Sequence, residues 1–197
     1  MTSHPITNNE LLAGFTHPVQ HAQSCFRSIL QAMSTPGCLI DLTVELSPPP
    51  AISSAAAAIL LTLADSTTRI YLPPLSAELC HWAAFHCGAP QVDMKQADYL
   101  FTSQRPPLAS LASGSDEMPE RGATLVLDMA IFGQGRHYRL TGPGIAKDQH
   151  LHVPFDESFA AEWQINHQNF PRGLDMILCS GQQIIALPRS VCIEEII

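Results

Sequence analysis

Two periods of apolar spacing alternate along this chain, and the places where one gives way to the other mark its elements. From Pro18 the apolar residues Ala22, Phe26, Ile29, Leu30 and Met33 recur at three- and four-residue steps, which predicts a helix with that stripe inward. Proline is tolerated in a first helical turn, where its missing N–H would have no partner anyway. Thr35-Pro36-Gly37 ends the helix, because a residue before proline is pushed out of the α region. The period then drops to two. Cys38, Ile40, Leu42, Val44 and Leu46 alternate with Asp41, Thr43 and Glu45, predicting a strand with one wet face. Past the stiff Ser47-Pro-Pro-Pro50 connection, Ile52 to Ala64 holds four consecutive alanines and little polarity, the mark of a helix buried on most sides.

Arg69 to Leu72 reads as a short strand. Ser76 is placed to cap the next helix and Glu78 to favour its N-terminal dipole. Leu79, Trp82, Ala83 and His86 share a face of that helix, and Gly88 suits the left-handed position that closes it. Ala97 to Thr102 is another strand, followed by a Pro-, Ser- and Gly-rich stretch, 103–121, with one helical turn near Leu108 to Ala112. From Arg121 to Arg189 two hairpin-like stretches bracket a glycine-rich turn, Leu140 to Ile145. One runs Gly122 to Ile131, turns at Gly133-Gln-Gly135 and returns as Arg136 to Thr141. The other runs Leu174 to Cys179, turns at Ser180-Gly181 and returns as Gln183 to Leu187. Between them Asp156 is placed to cap a helix reaching about His167, with Phe159, Trp163 and Ile165 inward. Phe170-Pro171-Arg172-Gly173 turns the chain into the second hairpin, and Val191 to Ile197 adds an edge strand. Helix–strand alternation followed by hairpins predicts an α/β fold: one domain over residues 18–197, with a mixed sheet and C-terminal hairpins flanked by helices. Residues 1–17, polar and without a period, predict a flexible N-terminal arm.

Composition changes the picture in three ways. Charged residues are 14% of the 197, against a usual share of about a quarter, so part of the surface is suited to meeting protein rather than water. A net charge of −8 with no Lys/Arg-rich run excludes electrostatically driven nucleic-acid binding. No stretch approaches the ~18–20 consecutive apolar residues of a membrane span. Met1-Thr-Ser-His-Pro-Ile6 lacks the basic and apolar regions of a secretory signal, so a cytoplasmic protein is expected. The six cysteines, Cys25, Cys38, Cys80, Cys87, Cys179 and Cys192, lie mostly within apolar runs and read as reduced, buried thiols.

No complete catalytic set stands out. Thr141-Gly-Pro-Gly144-Ile145 could offer backbone N–H groups to a phosphate through Gly142 and Gly144. The phosphate fingerprints GxxxxGK[ST] and GxGxxG are absent, however, and the proline removes one donor, so a structural turn is the leading reading. His81 and His86, five apart on a helix, point about 140° away from each other. His150-Leu-His152 in an extended segment puts both rings on one side, but without a Cys or carboxylate partner no metal is expected there. There is no G-x-S-x-G elbow. The two lysines, Lys95 and Lys147, have polar neighbours that mark surface positions rather than Schiff-base nucleophiles. Asp175, at the start of an apolar strand, would be costly to bury alone. Arg27, Arg139 and Arg189 also stand beside apolar runs, and guanidinium groups suit carboxylates or phosphates. Either these charges pair internally and fix the sheet's edges, or they form a polar patch toward an anion or a partner.

Several stretches in order and in register resemble the PhnH subunit family of the bacterial carbon–phosphorus lyase machinery. They are Phe26 to Gly37, Leu60 to Asp65, Phe85-His86 with Gly88-Ala-Pro90, and Pro119-Glu120 before Gly122 to Leu125. Arg139 to Ala146, Phe170 to Asp175 and Ala186-Leu-Pro-Arg189 complete the set, which spans about residues 18 to 190. The resemblance implies a fold similar to that of pyridoxal-phosphate-dependent transferases, without the cofactor. It implies a homodimer when alone, and a place beside PhnG, PhnI and PhnJ, with PhnL acting functionally, in transferring ribose 5-triphosphate from ATP to methylphosphonate. It carries over no catalytic residue; Asp65, Arg139, Asp175 and Arg189 match the family pattern with their roles open. A function of another class, a stand-alone enzyme or binder for phosphate or a phosphonate, would use Arg27, Arg139 or Arg189 with the Gly142-Pro-Gly144 loop.

Overall fold

A computed structural model of the chain describes residues 14–73 and 77–196. Pro18–Ser34 forms α1, followed by β1 (Ile40–Asp41), α2 (Ser54–Leu63), β2 (Ile70–Tyr71) and α3 (Ala77–Cys87). The second half runs β3 (Tyr99–Thr102), β4 (Thr124–Asp128), β5 (Arg136–Thr141), β6 (Gln149–Val153), α4 (Phe159–Gln168), β7 (Asp175–Ser180), β8 (Gln183–Leu187) and β9 (Cys192–Ile196).

Six strands form a mixed sheet in the order β1-β8-β7-β4-β3-β2, and three form an antiparallel sheet in the order β6-β5-β9. Strands β2, β3, β4 and β7 run parallel, while β8 is antiparallel to β7 and β1 to β8. The larger sheet is covered on both faces, which is why its central strands are nearly continuous apolar runs. Phe101, Val126, Ile177, Cys179, Ile184 and Ala186 point to the layer of α1, α2 and α3. Leu100, Leu125, Leu127, Met176, Leu178, Ile185 and Leu187 point to the small sheet and α4. One α/β domain with two apolar cores results.

The small sheet corrects the first hairpin expected from sequence. Strand β4 does not return through Gly133-Gln-Gly135 to pair with β5. It lies between β3 and β7, and β5 pairs with β6 and β9 in the other sheet. The second hairpin, β7 with β8, is present with Ser180 opposite Gln183. The edge strand expected near the C-terminus is β9, and it borders the small sheet.

Two helix faces also differ from the expected ones. In α1 the buried residues are Cys25, Ile29 and Ala32, whereas Phe26 is 46% and Leu30 52% exposed. Ile29 is buried as expected and Met33 packs against the core, so the inward stripe is shifted toward the Cys25–Ala32 side, away from Phe26 and Leu30. Cysteine and alanine fit the close approach of α1 to the alanine-rich α2, where Phe26 and Leu30 would be too large. In α4, Phe159 and Trp163 are buried as expected, but Asn166 takes the inward position and Ile165 is exposed. The Asn166 amide closes on residue 174, donating from Nδ2 to the Leu174 carbonyl and accepting from its N–H.

The expected strand from Cys38 to Leu46 is paired only at Ile40–Asp41, although Leu42, Val44 and Leu46 are buried in the predicted alternation. Helix α2 starts at the Ser53 cap, which accepts from the Ala56 N–H at 3.2 Å, and the Ser53 N–H donates to the Asp128 carboxylate at 2.6 Å. Capping by Ser76 and residues 1–13 of the N-terminal arm lie outside the described residues; Phe15 packs against the helical layer.

Candidate functional site

Parallel register sets Tyr99, Thr124 and Asp175 side by side at the first positions of β3, β4 and β7. All three belong to the helical side of the sheet. With Phe26, Ile29 and Met33 of α1 they line a cleft of about 340 Å³, whose polar corner is Asp175 with Arg189. The β7–β8 hairpin makes that corner: Met176 pairs with Leu187, so Asp175 and the residues after Leu187 meet across its open end. Arg189 Nη2 donates to Asp175 Oδ2 at 2.7 Å, Nε contacts both carboxylate oxygens at 3.2 Å, and the Arg189 backbone N–H donates to Oδ1 at 2.8 Å. Arg189 Nη1 donates to the Pro119 carbonyl at 2.7 Å.

These contacts fix three distant segments on one ion pair whose side chains are only 14% and 17% exposed. Gly122 permits the closeness. A Cβ there would lie 1.9 Å from the Gly173 carbonyl oxygen and 2.7 Å from Arg189 Nη1. Guanidinium offers five N–H donors. Asp175 and Pro119 take those that face inward, and the charge is neutralised in place, so Arg189 has little left for a free anion. Asp175 is the internally paired carboxylate of the first sequence reading. Beside it the Tyr99 phenol is raised, first by burial and then by the carboxylates of Asp98 and Asp175.

The other sequence candidates fall at different places. Arg27 is exposed on α1, one residue beyond Phe26, and forms no ion pair among the described residues. Arg139 is on the outer face of the small sheet, where its Nη2 donates to Glu194 of β9 at 2.5 Å. Gly142 and Gly144 have φ of 136° and 84°, the left-handed region that needs glycine. Their turn is packed. A Cβ on Gly144 would meet the Ser34 carbonyl oxygen at 2.3 Å, and one on Gly142 would stand 3.1 Å from that of Ser190. The Ile145 N–H is already bonded to the Gly142 carbonyl at 3.1 Å. Asp175 and Arg189 are thus together, Gly142 abuts the chain just after Arg189, and Arg27 and Arg139 stand apart. Lys95 and Lys147 are both exposed.

One cluster escapes sequence reading and another is seen there only in part, as the pair His150 and His152. At the carboxyl ends of β3 and β4, Arg105 has a side chain only 7% exposed and donates to Glu162 at 2.9 Å and Asp156 at 2.8 Å. It borders a cleft of about 480 Å³ with Asp128, Met129 and Phe155. Hydrogen bonding from Ser158, then from Arg105, holds the Asp156 carboxyl below its ordinary value. Burial pushes Glu162 up, but hydrogen bonds from Arg105, Ser158 and the Leu108 amide outweigh it and leave Glu162 lowered as well. The available signal was two acids flanking the start of α4. The second cluster is on the small sheet, where His137 of β5 joins His150 and His152 of β6. Desolvation, then the neighbouring His152 and His150, hold the His137 imidazole below its ordinary value.

Comparison with known proteins adds a full-length likeness. Residues 13–194 match the family model described as bacterial phosphonate metabolism protein (PhnH). The alpha-D-ribose 1-methylphosphonate 5-triphosphate synthase subunit PhnH of Rhizobium meliloti (strain 1021) is 32% identical over 188 residues, 91% of this chain and 94% of that protein. The putative C-P lyase subunit protein HtxG of Stutzerimonas stutzeri is 35% identical over 177 residues, 87% of this chain and 85% of that protein.

Proposed function

Since the chain belongs to the PhnH family of bacterial phosphonate metabolism proteins, we propose that it is a non-autonomous subunit of an alpha-D-ribose 1-methylphosphonate 5-triphosphate synthase. With its partner subunits it serves to transfer ribose 5-triphosphate from ATP to methylphosphonate, displacing adenine. The observation that carries this reading is the match to proteins so named over nearly their whole length.

The geometry is in keeping with a subunit that needs others. Arg189, Arg139 and Arg105 spend their donors on internal carboxylates, so among the described residues no open cluster of cations faces a cleft. Apolar groups meanwhile stay exposed on α1, with Val19 at 72%, Phe26 at 46% and Leu30 at 52%. That combination suits contact with protein more than capture of a free anion. PhnG, PhnI and PhnJ are the proposed partners, with PhnL joining functionally, and a cytoplasmic homodimer is the proposed state of the chain alone. The fold is proposed to be similar to that of the pyridoxal-phosphate-dependent transferases, without the cofactor. In support, both lysines are exposed on the surface. Residues 1–17 are proposed as an arm outside the domain of 18–197.

A direct test purifies the tagged chain alone and together with its partner subunits, then measures adenine release from ATP in the presence of methylphosphonate. Release only by the assembly, with co-purification of the partners, is expected. Turnover by the lone chain, or micromolar binding of phosphate or methylphosphonate to it by calorimetry, would instead favour a stand-alone enzyme or binder.

A further inference from the structure

Given the subunit role proposed above, on which this step rests, we propose that the outer face of α1 seats a helix from a different chain of the assembly. That helix presents an apolar seam and sets a carboxylate against Arg27. Helix α1 carries two apolar stripes. Cys25, Ile29 and Ala32 take one of them into the core. The other runs Val19, Gln23, Phe26, Leu30 and Met33, in steps of four, three, four and three, the alternation of a heptad seam. Val19, Phe26 and Leu30 are exposed, Gln23 is exposed among them, and Met33 brings the stripe to the wall of the amino-end cleft. A seam with this spacing is what one helix offers another, since each residue fills a hole between four of the facing helix. The lone polar position, Gln23, is a device that fixes register at some cost in stability.

Charge selects the occupant. Arg27 flanks the seam beside Phe26, is the only Lys, Arg, Asp or Glu in Pro18–Ser34, and forms no ion pair among the described residues. A charge beside a heptad seam pairs with the opposite charge beside the facing seam, and such pairs set the choice of partner. A second copy laid α1 on α1 supplies no carboxylate in any register, because the helix contains none. The occupant is therefore another helix, with Glu or Asp at the position that meets Arg27. At the Met33 end the cleft of about 340 Å³ receives one of its apolar side chains. Asp175 and Arg189 already neutralise each other in that cleft, so the inserted side chain needs no charge. No part of α1 has to move for this contact to form.

The test immobilises the full chain and titrates it with the partner subunits purified without it, reading dissociation constants by biolayer interferometry. Phe26→Gln/Leu30→Gln should weaken binding by about thirtyfold, the effect of removing interface anchors. Arg27→Glu should weaken it by about tenfold, Arg27→Lys by much less, and high salt should shrink the Arg27→Glu loss. Because these positions are exposed, melts by circular dichroism should stay within ~2 °C of the wild type, and self-association by sedimentation should not change. Undiminished binding by the double variant or by Arg27→Glu would overturn the proposal. So would loss of self-association in the double variant, which would give the face to a second copy. A large fall in its melt would give the face to the chain's own N-terminal arm and overturn it too. Where wild type and variants bind the partners equally, the subunit role stands and only the helix seat falls. Where the wild type binds none, both fall.

Discussion

Each end of the parallel strands carries an arginine set among carboxylates beside a cleft, and the two arrangements do different work. At the amino ends one guanidinium meets one carboxylate. The Asp175–Arg189 pair is shielded on both sides, and its spare donors go to backbone carbonyl oxygens. At the carboxyl ends one guanidinium meets two carboxylates, and although Arg105 is buried, Asp156 is 65% exposed. The first is a neutral rivet joining three chain segments; the second is a net-negative rim open to water. An arginine beside a cavity is therefore not by itself evidence of a ligand site. What matters is how many of its donors remain unspent and how the local charge sums.

The sharpest way to break this comparison is to remove one half of the rivet. Asp175→Ala leaves a mostly buried guanidinium without its counter-charge, and the expected loss is about 3 kcal/mol, a fall in melting temperature of roughly 6–12 °C. Complex yield should fall with it. The double variant Asp175→Ala/Arg189→Met buries no unpaired charge and should melt higher than Asp175→Ala alone. A normal melt for Asp175→Ala combined with lost synthase activity would make Asp175 a functional carboxylate and end the rivet reading.

The carboxyl-end cluster should show itself through pH. Asp156 and Glu162 have folded values below their ordinary ones. The stability they contribute is therefore fully present above the unfolded carboxylate range, about pH 4, and is lost as pH falls through the lower folded values. Arg105→Met removes charge-assisted hydrogen bonds worth about 2 kcal/mol, or roughly 4–8 °C of melting temperature near neutrality. Its melting curve against pH should also flatten below about pH 4, since its carboxylates lose less on protonation. A variant whose acid limb parallels that of the wild type would show that Arg105 does not hold these acids down.

Sequence revealed the amino-end pair more readily than the carboxyl-end one, and the reason is chain distance. Asp175 and Arg189 flank a single hairpin with a two-residue turn, so local pattern brings them together. Arg105 reaches Asp156 across 51 residues from an irregular Pro- and Ser-rich stretch, where no period indicates direction. The same distinction explains the false first hairpin. The runs around Gly133-Gln-Gly135 look locally like β7 and β8, but β4 is taken by β3 and β7, and only long-range pairing decides that. In α1 two adjacent stripes are apolar enough to be inward. Volume against α2 selects the one with Cys25 and Ala32, which apolar spacing alone does not weigh. The histidine cluster needed strand register between β5 and β6, and the sequence showed only its His150–His152 half.

The smallest expected effect belongs to a third arginine, which sets the zero of the comparison. Arg139 and Glu194 are bonded at 2.5 Å, yet their side chains are 47% and 56% exposed. Water competes for both groups, and ordering two long side chains offsets most of the attraction, so geometry alone overstates such a pair. Arg139→Ala should shift the melting temperature by less than roughly 2 °C, and added salt should change that little. Because the substitution leaves the fold intact, it isolates the face that also carries the histidines. If co-purification with partner subunits weakens while the melt does not move, the outer face of the small sheet is a docking surface. If neither moves, the Arg139–Glu194 pair contributes to neither stability nor assembly, in contrast to the two pairs at the ends of the parallel strands.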